Sequence, residues 1–339
     1  MLFKMTKIRS CAVVLLALGL IATSIPDAAQ AQTLRERIQA RAAERQAARA
    51  AGGSNVSGAE SVTITVGGIN RQFLVHVPAN VAPRPGAVLV FHGGRGTAEG
   101  IMETSGMNVA SDQGGFLAVY PQAAAEGSRW VSGSGVAAGG PDDVAFVRAM
   151  IDTLEQRYNV DPGRVFGTGI SSGGVMLHGM ACQAPGVLRA IAPVAAHLTE
   201  DVRAGCAPSQ GTPIMMFSGT ADPLMVYNGG QATLAIARNS APEGASDPVV
   251  SAPDTIAFWA ARNGCGGASS SELRDASNDG TTVTQISYSC GANRTYLFRV
   301  NGGGHAWPGS GTSRRISGPT SQDISATATM VQFFRDYGL

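Results

Sequence analysis

Lysine is almost missing from this chain of 339 residues: there are two, Lys4 and Lys7, and both lie near the start. A chain without lysine forms no Schiff base, no serine–lysine dyad and no phosphate-binding P-loop of the Walker type. Cysteine is scarce as well, five in all, and neither C-x-x-C nor H-E-x-x-H occurs. No metal site is therefore expected, and no cofactor. Charged residues make up only 14% of the chain and nearly cancel, at +1. That excludes the basic surface of a nucleic-acid binder. The apolar run from Cys11 to Ala22 is too short for the roughly 20 residues of a membrane span.

What is present starts with an export signal. Met1 to Ala31 has a basic start (Lys4, Lys7, Arg9), the apolar run, and Ala29-Gln30-Ala31 as a small-x-small cleavage site. Cleavage would remove both lysines and shift the balance to slightly negative. Cys11 stands at the start of the apolar run, not at its end, so no lipid anchor is expected. The expected location is secreted or periplasmic. Residues 32–58 form an arginine- and alanine-rich helical arm followed by a Gly/Ser linker. Leu34 and Ile38 are the arm's only large apolar residues, too few to bury a face. Residues 59–339 are expected to fold as one α/β domain, a monomer, with a mostly parallel central sheet and helices on both faces.

Within that domain, Val62–Val66 and Gln72–Val77 alternate around Gly67-Gly68 and predict a hairpin. Ala87–Phe91 is a continuous apolar run, as a doubly covered strand should be. Further strands are expected at Phe116–Tyr120, Val165–Thr168, Leu188–Val194, Ile214–Ser218 and Thr295–Val300. Helices are expected at Asp143–Tyr158, with Asp142 as N-cap, at Thr255–Arg262 and at Ser325–Tyr337. Strands alternating with helices predict a parallel sheet. The four cysteines left after export, Cys182, Cys206, Cys265 and Cys290, allow three disulfide connectivities. Pairing Cys182 with Cys206 and Cys265 with Cys290 is preferred, each closing a loop of about 25 residues.

The chemistry centres on Gly167-Thr168-Gly169-Ile170-Ser171-Ser172-Gly173-Gly174, where a strand breaks into a sharp turn and a helix opens. The G-x-S-x-G pattern places Ser171 at the tip of a nucleophile elbow, with the Ser172 N–H facing any oxyanion formed there. A phosphate-cradling βα turn would read similarly, so the partners decide. A serine needs a base, and the base needs an acid. Of the five histidines, His76 lies in an alternating strand and His178 on the helix past Ser171. His197 follows a strand and could line the site. His305, in the glycine-rich loop Gly302-Gly303-Gly304 after the last strand, sits where open α/β sheets hold their active sites. Asp222 follows the strand Ile214–Ser218. The order Ser171, Asp222, His305 is the order of the α/β-hydrolase triad. His92-Gly93-Gly94, after the third strand, offers the Gly94 N–H as second oxyanion donor. The His92 ring itself is expected to be structural.

FHGG, PDDVAFVRAMID, YNVDPGRVFGTGISSGG, IAPVAA, SGTADPLMVYNGG and GGGHAWPG, taken together, resemble the secreted esterases grouped around polyhydroxybutyrate depolymerases, feruloyl esterases and acetylxylan esterases. The resemblance spans nearly the whole domain. It implies the α/β-hydrolase fold, Ser171 as nucleophile, Asp222 and His305 as its relay, and oxyanion donors at Ser172 and Gly94. It implies the same disulfide pairing, and Trp130 and Trp307 beside the cleft as substrate-binding residues. The family often has alanine or asparagine where Ser172 stands and cysteine where Gly94 stands; both donors are backbone groups, so the hole survives either change. The chain ends 34 residues past His305, whereas depolymerases of solid polyester usually append a binding domain. That shifts the expected substrate toward soluble esters, oligomers or ester side groups of polysaccharide. Two rivals remain at this point: a serine peptidase of the same fold, and a secreted binding protein with a disabled hydrolase fold.

Overall fold

Buried on both faces, the run Ala87–Phe91 is a strand near the middle of a sheet with eleven strands among the described residues. The computed structural model describes residues 55–56, 58–124, 129–131, 140–206, 211–231, 248–311 and 317–339. The expected leader, and the arm and linker apart from residues 55, 56 and 58, lie outside the described residues. In chain order the strands are β1 (Asn55–Val56), β2 (Ala59–Val66), β3 (Ile69–His76), β4 (Ala87–Phe91), β5 (Leu117–Pro121), β6 (Val165–Ile170), β7 (Ile191–Val194), β8 (Ile214–Gly219), β9 (Ala268–Glu272), β10 (Thr282–Tyr288) and β11 (Thr295–Asn301). Their order across the sheet is β1-β2-β3-β5-β4-β6-β7-β8-β11-β10-β9. The run from β5 to β11 is parallel throughout, and antiparallel strands flank it on both sides. The hairpin of β2 and β3 turns through Gly67 and Gly68, both at positive φ, as a two-residue turn requires.

The helices are α1 (Ala98–Ser105), α2 (Met107–Gly114), α3 (Asp143–Tyr158), α4 (Ser172–Gln183), α5 (Glu200–Ala204), α6 (Ala252–Arg262) and α7 (Ala326–Arg335). Asp142 caps α3 by accepting from the Ala145 N–H. Alternate residues of the parallel strands face opposite sides. Leu89, Val119, Met216 and Leu297 pack against Phe146, Met150, Leu177 and Trp259 from α3, α4 and α6. Val90, Ala118, Phe217 and Phe298 pack against Met102, Met107, Met330 and Phe334 from α1, α2 and α7. Each large apolar side chain removed from water in this way contributes about 1.5–3 kcal/mol before entropy is counted.

Two disulfides tie the connections down, Cys182 to Cys206 and Cys265 to Cys290, at separations of 24 and 25 residues. The strand expected from Leu188 begins only at Ile191, because the chain is still in a turn at 185–189. The flanking strand β9 was beyond reach of apolar pattern: it reads ASSSE and is exposed along its whole length. No helix among the described residues is long and apolar enough to cross a membrane.

Candidate active site

Strand β6 ends at Ile170, and Ser171 turns the chain with φ 56° and ψ −127° before α4 begins at Ser172. A non-glycine residue rarely holds this conformation, and it persists only where the surroundings impose it. Here the Ser171 N–H donates to the Val194 carbonyl on β7. The helix can close onto the strand because Gly173 has no side chain. A Cβ there would lie 2.5 Å from the carbonyl oxygens of both Phe91 and His92. Above the elbow runs the turn after β4. The position a Cβ on Gly93 would take is 3.3 Å from Ser171 Cβ, and that of Gly94 is 3.7 Å from Ser172 Oγ. Among the described residues, the amide hydrogens of Gly94 and Ser172 have no backbone acceptor, and Ser172 Oγ is buried without a partner. Two unused N–H groups thus stand beside the elbow, the arrangement an oxyanion hole needs.

Asp222 follows β8 in a turn that uses both of its oxygens. Oδ1 accepts from the N–H groups of Leu224 and Met225, each at 2.8 Å, and Oδ2 accepts from His305 Nδ1 at 2.8 Å. The turn chemistry of an aspartate before proline and the orientation of a histidine are therefore served by one carboxylate. Its side chain is 1% exposed and that of His305 is 10% exposed. His305 is carried by the loop after β11, pinned where the His305 N–H donates to the Ser317 carbonyl and the Gly304 N–H to that of Pro319. Because an ionised carboxylate only accepts, Nδ1 carries the proton and Nε2 remains as a base. The structure brings Asp222 and His305 into contact. It does not bring Ser171 Oγ into a hydrogen bond with His305 among the described residues; such bonds commonly close only around substrate.

The other histidines have occupations of their own. His76 contacts Asp112 at 2.8 Å. His178 lies on the buried side of α4, where its Nδ1 accepts from the Trp259 indole N–H at 3.0 Å, and burial pushes its pKa down to about 3. His197 Nε2 lies 3.0 Å from Ser218 Oγ, and burial, partly offset by the Asp222 charge, lowers its pKa to about 4.

Trp307 requires a correction. It is 2% exposed, packed in the core on the α7 side, and its indole N–H donates to Thr327 at 2.9 Å. The hollow it borders, with Ser105, Gly106, Val109 and Val331, contains none of Ser171, Asp222 and His305. A side chain enclosed in this way offers no stacking face. Trp130 lies against the turn after β4. Half-buried and edge-on to Phe91, it donates its indole N–H to the His92 carbonyl at 2.8 Å. Sequence reasoning missed Arg71 and Asp143, a buried ion pair behind this turn, 2.5 Å apart, with the Val131 N–H donating to the second oxygen of Asp143. The signal was available: two adjacent acids open α3, and only Asp142 is needed as its cap.

Comparison with known proteins finds esterases. A family model described as esterase PHB depolymerase matches residues 72–227. NocK of Nocardia uniformis subsp. tsuyamanensis, provisionally named an esterase, is 31% identical over 285 residues, 80% of each chain. Feruloyl esterase B of Piromyces equi is 32% identical over 168 residues, 49% of this chain and 29% of the relative. Acetylxylan esterase A of Talaromyces purpureogenus is 34% identical over 135 residues, 39% of this chain and 34% of the relative. This chain thus spans only about a third of the length of those last two. Among solved structures, an acetyl xylan esterase from Aspergillus awamori superposes with a TM-score of 0.52 at 19% identity, covering 73% of this chain and 94% of that one. The architecture is the α/β-hydrolase fold.

Proposed function

The chain belongs to the esterase family of the polyhydroxybutyrate depolymerases, and from that premise we propose that it is an exported serine carboxylester hydrolase working through Ser171, His305 and Asp222. The observation that carries the reading is the His305–Asp222 hydrogen bond at the sheet edge where the strained Ser171 elbow also ends. Ser171 Oγ attacks the ester carbonyl carbon while His305 Nε2 takes its proton. Asp222 keeps the imidazole in the needed tautomer and stabilises it when charged. The Gly94 and Ser172 N–H groups receive the negative charge on the carbonyl oxygen. The alcohol leaves with the proton from His305, and water repeats the sequence to release the acid.

Export rests on the leader pattern of Met1–Ala31, and the two disulfides fit an oxidising compartment. The substrate is an ester of a hydroxyalkanoate oligomer or an acyl group on polysaccharide, the classes that the family name and the partial relatives' names suggest. Trp307, buried against Thr327, presents no face to such a substrate.

The test is a hydrolysis panel of p-nitrophenyl butyrate, methyl ferulate, acetylated xylan and a hydroxybutyrate oligomer, with Ser171→Ala as the blank. Turnover of at least one ester by the wild type and none by Ser171→Ala is expected. Hydrolysis retained in the variant overturns the mechanism. Comparable cleavage of the matched p-nitroanilide would favour a peptidase.

A further inference from the structure

A peptide unit is planar and trans, so its C=O and N–H point in opposite directions. Whatever grips the Gly93 carbonyl therefore aims the Gly94 N–H. That carbonyl is gripped twice: His92 Nδ1 lies 2.7 Å from it, and the Gly96 N–H donates to it at 3.0 Å. The preceding carbonyl, that of His92, accepts from the Trp130 indole at 2.8 Å. Two successive carbonyls are thus held at the moment the chain crosses Ser171.

The His92 ring can grip Gly93 in one neutral tautomer only. Its Nε2 faces the Ala123 backbone N–H at 3.2 Å, a group that can do nothing but donate. Nε2 is therefore the acceptor and Nδ1 carries the proton to Gly93. The Gln122 amide, 3.2 Å from Nε2, is itself held by the Ala98 N–H donating to Oε1 at 2.9 Å. Burial lowers the His92 pKa, which keeps the ring neutral. Trp130 is steadied by the edge-on contact with Phe91, 5.0 Å between centroids, and by the neighbouring Val131 N–H on Asp143. Consecutive glycines have the widest conformational freedom of any residues, so an oxyanion donor on Gly94 needs such restraint from outside its own backbone.

We propose that Trp130 and His92 are positioning residues that act as a two-point clamp, aiming the Gly94 N–H into the oxyanion hole; the inference rests on the esterase reading above and deepens it. Trp130 then serves catalysis through the backbone of the turn and not through a stacking contact with substrate.

The experiment measures kcat and KM for p-nitrophenyl butyrate and p-nitrophenyl benzoate, and inhibition by a trifluoromethyl ketone, whose adduct with a serine carries an oxyanion. Wild type, Trp130→Phe, His92→Leu and His92→Asn are compared. Losing one oxyanion donor outright typically costs about 100- to 1,000-fold. A misaimed donor should cost about 10- to 100-fold in kcat in Trp130→Phe and His92→Leu, for both esters, with KM within about twofold and the ketone weakened in parallel. His92→Asn can place its amide N–H near the position of Nδ1 and should recover most of the loss. A kcat within twofold of wild type in folded Trp130→Phe and His92→Leu overturns the proposal. So does an effect confined to KM for the benzoate, which would make Trp130 a substrate contact. Near-UV circular dichroism checks folding; if Trp130→Phe does not fold, the His92→Leu and His92→Asn pair decides. An inert wild type, or an active Ser171→Ala, would bring down the esterase reading and the clamp with it, and is recognised before any clamp variant is measured.

Discussion

His305 Nδ1 stands 2.8 Å from Oδ2 of Asp222, a contact made across 83 residues of chain by two loops that leave adjacent parallel strands. The other oxygen of Asp222 is already committed to the Leu224 and Met225 N–H groups. In Asp222→Asn the side-chain oxygen would keep those two backbone donors, and the amide NH2 would face His305. Nδ1 would have to become the acceptor and Nε2 would carry the proton, leaving Ser171 without a base. The expected result is a fall in kcat of about 10,000-fold with the melting temperature little changed. Steady-state kinetics on p-nitrophenyl butyrate, with a melting curve on the same sample, checks it; a loss under tenfold would separate Asp222 from the chemistry.

Ser171 holds φ 56° and ψ −127°, a region that glycine enters freely and residues with a Cβ do not. The elbow therefore trades stability for an exposed hydroxyl. Ser171→Gly should be inactive yet more stable than Ser171→Ala by about 1 kcal/mol, the order of cost of such backbone strain. Urea unfolding of the two variants side by side measures the difference. Equal midpoints would mean that the strain is relieved elsewhere.

Much of the frame was legible because the parallel strands are written as short apolar runs. Ala87–Phe91 and Asp143–Tyr158 have the same ends in sequence pattern and in structure. Where an outer strand carries mostly serine, as β9 does, pairing with β10 rather than hydrophobicity makes the strand, and no local apolar signal marks it. Ser171, Asp222 and His305 could be singled out because each follows a strand and stands in a fixed chain order. Trp307 was misjudged for a reason that sequence cannot remedy. Two residues past His305, it could have faced the cleft or the core, and only the partner Thr327 on α7 decides. The grip on the Gly93 carbonyl was equally invisible, since it depends on where the Ala123 N–H meets the His92 ring.

Acid should loosen this fold through two histidines that are buried neutral. Burial takes the pKa of His178 down to about 3 and that of His197 to about 4, against an unfolded value near 6.5. Below pH 6.5 the unfolded chain gains protons that the folded chain does not. The stability they contribute is thus fully present above about pH 6.5 and is lost as pH falls toward the folded values. Each site should add a slope of about 1.4 kcal/mol per pH unit across that window. Urea midpoints at a series of pH values between neutrality and the acid limb test the sign. His178→Gln should flatten the slope, and an unchanged slope would assign the acid sensitivity to other groups.

Gly173 opens α4 below the turn after β4 and Gly94 lies in that turn, and they should respond very differently to the same substitution. A Cβ on Gly173 would come within 2.5 Å of the carbonyl oxygens of Phe91 and His92. Both are backbone atoms, and the His92 carbonyl is also held by Trp130, so neither can swing aside as a side chain would. Gly173→Ala must push α4 away from β4 or displace the turn that carries the Gly94 N–H. Overpacking of this kind costs about 1–3 kcal/mol, and here it should also lower kcat, because the elbow and the oxyanion donor move apart. A Cβ on Gly94 meets nothing nearer than Ser172 Oγ at 3.7 Å, an ordinary contact, and its N–H is unchanged by the substitution. Gly94→Ala should therefore stay within about 0.5 kcal/mol of wild type. Thermal unfolding and kcat on p-nitrophenyl butyrate for the two variants check the contrast. A stable, active Gly173→Ala would mean that α4 can retreat from β4 without disturbing the site.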